Sequence, residues 1–226
     1  MSIGRAAVLA TFLALASMRG LAADVTANDM NRMGILYATG TGVPKDYVAA
    51  LAWYQRAAQS GSASAMSNIA TMYFHGLGVP QNFEETVKWL RLAVRQGDAT
   101  AQNRLGAMYE DGLGVRKNPR EASELFGLAA RQGYAPAMAN LGRAYARGIG
   151  VKRDETHAYA LISAAVEIGV LKGDREAALY ELAALSQRLD AKQIDRAQAD
   201  ARALVVATHS KQVSAREEDA RNVYRL

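Results

Sequence analysis

A chain of 226 residues, half of them apolar, is long enough to bury a large core. Its formal charge of +5 includes Arg5 and Arg19; without them 27 basic residues become 25 against 22 acidic ones, and a net of +3 gives no reason to expect a nucleic acid. Cysteine is absent, which excludes a disulfide framework and a thiol that could carry a bacterial lipid anchor.

Residues 1–23 have the form of a secretory signal peptide. Arg5 supplies the charged start, Ala6 to Ala16 the apolar middle, and Gly20-Leu21-Ala22 or Leu21-Ala22-Ala23 the small residues of a cleavage site at or just before Asp24. The apolar run is short for a membrane span, and no later run is long enough for one. The expected location is therefore the periplasm or the medium, with an uncleaved anchor as the alternative.

Thr26 then predicts a helix cap, with the helix starting at Ala27 and Asp29 favourable at its third position. That helix ends where Gly40 can turn left-handed and Pro44 prevents resumption. The stretch Gly40-Thr41-Gly42-Val43 returns as Gly76-Leu77-Gly78-Val79, Gly112-Leu113-Gly114-Val115 and Gly148-Ile149-Gly150-Val151, 36 residues apart each time. Tyr37, Tyr73, Tyr109 and Tyr145 precede each loop by three residues, and Met33, Ile69, Leu105 and Leu141 lie four residues before them, on one helical face. After each loop, Asp46, Asn82, Asn118 or Asp154 caps a second helix, which carries the pairs Trp53-Tyr54, Trp89-Leu90, Leu125-Phe126 and Leu161-Ile162 and stops at Gly61, Gly97, Gly133 or Gly169. Self-similarity at this period is the mark of a solenoid of helix pairs, with repeats over residues 29–64, 65–100, 101–136 and 137–170. Trp53, Trp89 and the tyrosines are expected in the core between repeats.

Beyond Gly169 the loop signature stops. Ala178, Leu182 and Leu185 pattern one more helix; Asp190 with Gln193 forms a capping pair for another, striped by Ile194, Ala197, Ala201, Leu204 and Val205. Residues 171–208 are thus predicted to be a divergent helix pair over the open end of the stack, and residues 209–226 a flexible tail.

The pattern of an apolar residue, Gly or Ala, two residues, Tyr, two residues, Gly-x-Gly-Val, Asp or Asn, then Trp-Tyr and Ala-Ala before Gly resembles the Sel-one-like repeat (SLR), a relative of the tetratricopeptide repeat. The resemblance covers about two thirds of the chain; Ala70 in place of the first-helix glycine and Leu125-Phe126 and Leu161-Ile162 in place of the aromatic pair are modest departures. It implies an all-α, right-handed α-α superhelix and a protein-binding adaptor of the cell envelope, or an exported regulator of an envelope sensor or assembly system. An enzyme or ligand binder acting on cell-wall material is the alternative. Some exported SLR proteins have been linked to penicillin binding or hydrolysis, but this chain has neither their cysteines nor a Ser-x-x-Lys, so that activity is not carried over.

No catalytic, cofactor or metal residues are assigned. The Gly-x-Gly loops lack the third glycine of a dinucleotide site and the Gly-Lys-Ser or Gly-Lys-Thr of a nucleotide loop. The histidines, His75, His157 and His209, are too few and too scattered in sequence to suggest a triad or zinc motif. Arg116-Lys117 and Lys152-Arg153 are adequately explained as solvated turns.

If the tetratricopeptide geometry transfers, first helices line a concave groove through their non-core positions, such as Asn31, Ile35, Thr71 and Asn103. Specificity is expected where equivalent positions differ: Phe74-His75, Glu110-Asp111 and Ala146-Arg147. Phe74, His75, Glu110, Asp111, Arg143 and Arg147 are accordingly the candidate partner-binding residues, with Phe74 as apolar anchor and the arginines facing an acidic part of a protein partner.

Overall fold

Each repeat folds as the spacing requires, as two short helices joined by the glycine loop. The computed structural model describes residues 25–169 and 172–223, so the leader, its cleavage site and the last three residues lie outside the described residues. Within them there are ten helices and no strand: α1 (Ala27–Thr39), α2 (Tyr47–Gln59), α3 (Ala63–His75), α4 (Phe83–Arg95), α5 (Ala99–Asp111), α6 (Pro119–Arg131), α7 (Ala135–Arg147), α8 (Glu155–Ile168), α9 (Lys172–Ser186) and α10 (Ala191–Val223). The first eight pair as hairpins, α1 with α2 through α7 with α8. The chain divides into two compact units, the first ending at Gln96 and the second beginning at Gly97.

The caps expected from the sequence are present. Thr26 and Asp29 form a reciprocal box, with Asp29 N donating to Thr26 Oγ1 at 3.1 Å and Thr26 N to Asp29 Oδ2 at 3.2 Å. The Oδ1 atoms of Asp46, Asn82, Asn118 and Asp154 accept from Val48 N, Glu85 N, Glu121 N and His157 N at 2.9, 3.0, 3.3 and 2.9 Å. Asp190 and Gln193 exchange two bonds of 2.9 Å at the start of α10. Ser62 and Asp98 cap α3 and α5 in addition, whereas Tyr134, at the same place before α7, contributes no side-chain bond. Asn118→Ala should cost about 1 kcal/mol, the usual value of such a cap; a urea melt superimposable on wild type would remove Asn118 from that role.

The loop is held by three backbone bonds. In repeat one, Gly40 N and Thr41 N both donate to Leu36 O, at 2.9 and 3.1 Å, and Asp46 N donates to Tyr37 O at 2.9 Å. Repeat three repeats this with Gly112, Leu113 and Asn118 on Met108 O and Tyr109 O, and Gly40, Gly76, Gly112 and Gly148 all sit at φ between 67° and 78°. Three amides of the loop are thus spent on the preceding helix.

The core follows the period with one correction. The second member of each pair is fully buried: Tyr54 4% exposed, Leu90 1%, Phe126 1% and Ile162 0%. Burial pushes the Tyr54 hydroxyl up to about 12. Trp53, Trp89 and the repeated Tyr37, Tyr73, Tyr109 and Tyr145, all expected in the core, are only partly buried. Trp53 lies at the edge, where the Arg56 guanidinium covers its ring at 5.1 Å. The buried side chains seat against small residues of the first helix. A Cβ on Gly34 would clash with the Tyr54 ring, one on Gly106 would lie 2.7 Å from Phe126, and one on Gly142 would lie 2.6 Å from Ile162.

The C-terminal segment departs from expectation. Among the described residues α9 and α10 pack on α8 and do not form a hairpin with each other. Ala201 and Val205 of α10 join Phe126, Met138, Leu141 and Leu161 in one core. Further along, Thr208 is 3% exposed, against Gly133, and Lys211 Nζ donates to Arg131 O. The flexible tail predicted from His209 is therefore replaced by helix as far as Val223. No glycine or proline interrupts this segment from Ala191 onward, and Thr208 and Lys211 anchor its middle, so nothing stops the helix where the apolar stripe ends.

Candidate interaction surface

The six candidate residues fall into two places. Phe74 and His75 close α3 in the first unit. Phe74 is partly buried: its ring meets His75 edge-on at 4.9 Å and tilts against Phe83, the first residue of α4, at 5.4 Å. Gln81 Nε2 donates to its carbonyl at 2.7 Å.

The four charged candidates belong to the second unit and come together. Glu110 and Asp111 end α5, Arg143 and Arg147 lie one turn apart on α7, and with Lys117, Asn140, Ala144 and Ile149 they line a cleft of about 320 Å³. A smaller recess of about 180 Å³ lies beyond Arg143 and Arg147, walled by Glu181, Leu185 and Arg188.

The two arginines are not equivalent. Arg143 Nε donates to both Glu181 oxygens at 3.1 and 3.2 Å, and its NH1 donates to Asn140 Oδ1 at 2.7 Å. Asn140 Nδ2 in turn donates to Asn103 Oδ1 at 2.9 Å, so a polar chain runs from α5 through α7 to α9. The first unit has one such rung, Asn68 Nδ2 to Asn31 Oδ1 at 3.0 Å. Arg143 is pinned, with its side chain 25% exposed; Arg147 approaches Glu181 only at 3.7 Å and stays 62% exposed. A planar guanidinium presented this way can take a carboxylate in two parallel bonds.

Sequence reasoning missed Glu181, which neutralises part of the arginines' charge. The signal was available: Glu181 stands 36 residues after Tyr145, at the tyrosine position of the repeat carried one step past the last loop. Asn140 was missed although it repeats Asn68 two periods on, because the position between them, Arg104, breaks the recurrence.

The remaining chemistry-bearing residues do not converge. His75 lies at the end of α3, His157 packs edge-on against Tyr145 at 4.6 Å, and His209 is exposed on α10. Among the described residues no group of three or more histidine, aspartate or glutamate side chains could hold a metal ion, and no helix is long and apolar enough to cross a membrane. A wider depression of about 590 Å³ lies in the second unit among α6, α7, α8 and α10, lined by Leu128, Met138, Leu141, Tyr145, Leu161 and Leu204 among others.

The model of the Sel1 repeat matches four times in succession, over residues 27–62, 63–98, 99–134 and 135–170. The chain belongs to the Sel1 repeat family. Its repeats thus begin two residues earlier than the phase taken from the loops, at the caps Thr26, Ser62, Asp98 and Tyr134 that precede each first helix. Among curated proteins none matches. Among solved structures, a protective antigen of uropathogenic Escherichia coli with an SLR fold is 29% identical at a TM-score of 0.71. The match covers 82% of this chain and only 40% of that one. A Sel1 repeat protein from Oxalobacter formigenes is 28% identical at a TM-score of 0.62, over 83% of this chain and 86% of that one. An immunity protein from Pseudomonas aeruginosa, 22% identical with a TM-score of 0.50 over 79% and 69% of the two chains, shares the fold. Sel1 repeat proteins are all-α solenoids that generally mediate protein–protein interaction, and the fold is not typically enzymatic.

Proposed function

We propose that this Sel1 protein is an exported, non-enzymatic scaffold of the cell envelope that holds a protein partner at the Arg143–Arg147 cleft. The observation that carries the reading is where the charge lies. Caps, loops and core consume the residues common to all repeats, and of the positions left to vary, Glu110-Asp111 and Arg147 meet with Arg143 around one cleft in the second unit. The pinned Arg143 orients the site, the exposed Arg147 engages an acidic side chain of the partner, and Glu110 and Asp111 favour a basic one beside it. Export rests on residues 1–23, with their charged start, apolar middle and small-residue cleavage site.

The test is a crosslinking pull-down from periplasmic extract, followed by affinity measurement with the purified partner. Arg147→Glu should weaken binding about tenfold, more at low salt than at high, with an unchanged thermal melt. Unaltered affinity would exclude the cleft, and recovery of the protein with residues 1–23 still attached in the cytoplasm would exclude the location.

A further inference from the structure

Four glycines lie inside the first eight helices, and three of them make room for a neighbour. Gly34, Gly106 and Gly142 each give way to a side chain of the second helix in their own repeat, Tyr54, Phe126 and Ile162. Gly127, in the middle of α6, gives way to nothing of that kind. Beyond its chain neighbours and its own helix backbone, a single atom of the described residues lies within 4 Å of where its Cβ would stand: NH1 of Arg131, the free end of a flexible side chain, at 3.5 Å. Glycine is the weakest of the ordinary residues inside a helix, and the positions equivalent to Gly127 in the other repeats hold Gln55, Arg91 and Ser163. Space replaces the missing side chain, because Gly127 lines the depression of about 590 Å³ in the second unit.

The depression exists because α6 and α8 both pack on α7 but scarcely on each other, while α10 follows α8. Met138, Leu141 and Leu161 line it with buried apolar surface, and Leu204 of α10 adds to them. A volume of about 300–1,000 Å³ and an apolar lining with a few polar groups are the marks of a small-molecule site. The polar groups here are sorted by end. Glu124 and Arg131, both in the lining, stand about 10 Å apart along α6. At the Glu124 end the carboxylate is held by Arg120 at 3.1 Å, Ser123 Oγ donates to Ile149 O at 3.1 Å, and Tyr145 and His157 set their rings against each other. At the other end, no hydrogen bond or ion pair among the described residues takes up the Arg131 guanidinium, and the Lys211 ammonium adds a second cation at the carbonyl of the same residue.

We propose that this depression binds a single-chain amphiphile with an anionic head, of which a medium-chain carboxylate is the simplest, its head on Arg131 and its chain across Gly127 toward Tyr145. The order of charges sets the direction, since a carboxylate is drawn to the Arg131 end and repelled by Glu124 at the other. Gly127 lets the chain lie on the helix backbone, where a larger residue would stand in its path. Size and polarity weigh against a protein segment. A partner helix, about 10 Å across, would need about 800 Å³ to lie along those 10 Å, more than the depression offers. An extended segment would leave main-chain N–H and C=O groups unpaired against leucine. The site shares no lining residue with the Arg143–Arg147 cleft, so its occupant is additional to the protein partner proposed there.

Titration calorimetry of the purified protein with sodium dodecanoate reads this directly. Saturable binding at one site is expected, with a dissociation constant on the order of 10 µM. Octanoate, with its shorter chain, should bind at least about tenfold more weakly. Gly127→Leu sets a side chain across the path and should abolish binding while the thermal melt stays level or rises, since leucine is the better helix former. Arg131→Gln, at an exposed position, should weaken dodecanoate about tenfold and leave dodecanol unchanged. That pair separates head from chain and keeps the test decisive should the Gly127 variant fold poorly. Arg147→Glu should bind dodecanoate as the wild type does. No saturable binding up to about 1 mM overturns the inference. So does an affinity indifferent to Gly127→Leu or to Arg131→Gln, or a protein segment captured at this face that dodecanoate does not displace.

Discussion

Phe126→Ala is expected to cost about 3–5 kcal/mol, the range for truncating a large aromatic in a packed interior. The ring is 1% exposed and belongs to a core drawn from α6, α7, α8 and α10, with Met138, Leu141, Leu161 and Val205 around it. It also fills the space that Gly106 leaves, so removal opens a void that rigid helix backbone on the α5 side cannot close. Trp89→Ala is the informative companion. The two residues look alike in sequence, each in the paired position of a second helix, yet Trp89 already meets solvent and should cost less. Guanidinium unfolding of both variants checks the order; an equal or inverted ranking would mean that the buried core has been misplaced.

The second large effect is expected at Gly150. Its φ of 74° lies in the left-handed region, and a Cβ there would run into the carbonyl group of Pro119, the first residue of α6 in the preceding repeat. Gly78 makes the same approach in the first unit, where a Cβ would stand 2.8 Å from that of Tyr47 at the start of α2. Gly42, in the first repeat, has nothing within 4 Å of that position. Gly78 and Gly150 thus do two jobs, a left-handed turn and a close approach, of which Gly42 does only the first. Gly42→Ala should cost only about 1 kcal/mol, for the left-handed backbone alone. Gly150→Ala adds backbone overpacking and should cost about 3 kcal/mol. Matched thermal melts decide it, and equal shifts for the two variants would show that the loop does not act as the spacer between repeats.

Much of this was legible because a repeat states its contacts several times over. Thr26, Asp46, Asn82, Asn118, Asp154 and Asp190 could be recognised as caps, since a cap depends on residues only two or three positions away. The glycines could be assigned to helix ends for the same reason. What stayed hidden depends on partners far along the chain. Periodicity shows that Trp89 and Leu90 recur as a pair, but which of them faces inward depends on helix rotation, and the answer is Leu90. The path of α10 was not legible at all, because Asp190 onward carries no repeat and its stripe of Ala201, Leu204 and Val205 would fit any apolar face. In the candidate site, the variable positions Glu110, Asp111 and Arg147 could be picked out by comparing repeats. The counter-charge Glu181 was passed over because the loop signature has ended there, although it keeps the 36-residue step from Tyr145.

The anchoring of α10 alters how the molecule comes apart. In a stack whose members touch only their immediate neighbours, the end member frays first and the others follow one at a time, each with its own small barrier. Here the last helix passes over α8 and holds the turn after α6 through Thr208 on Gly133 and Lys211 on the Arg131 carbonyl. It therefore bonds to a repeat that is not next to it in the chain. Repeat four cannot open until α10 is lifted from both α8 and that turn, so the amides of α8 and α10 should exchange with solvent as one block.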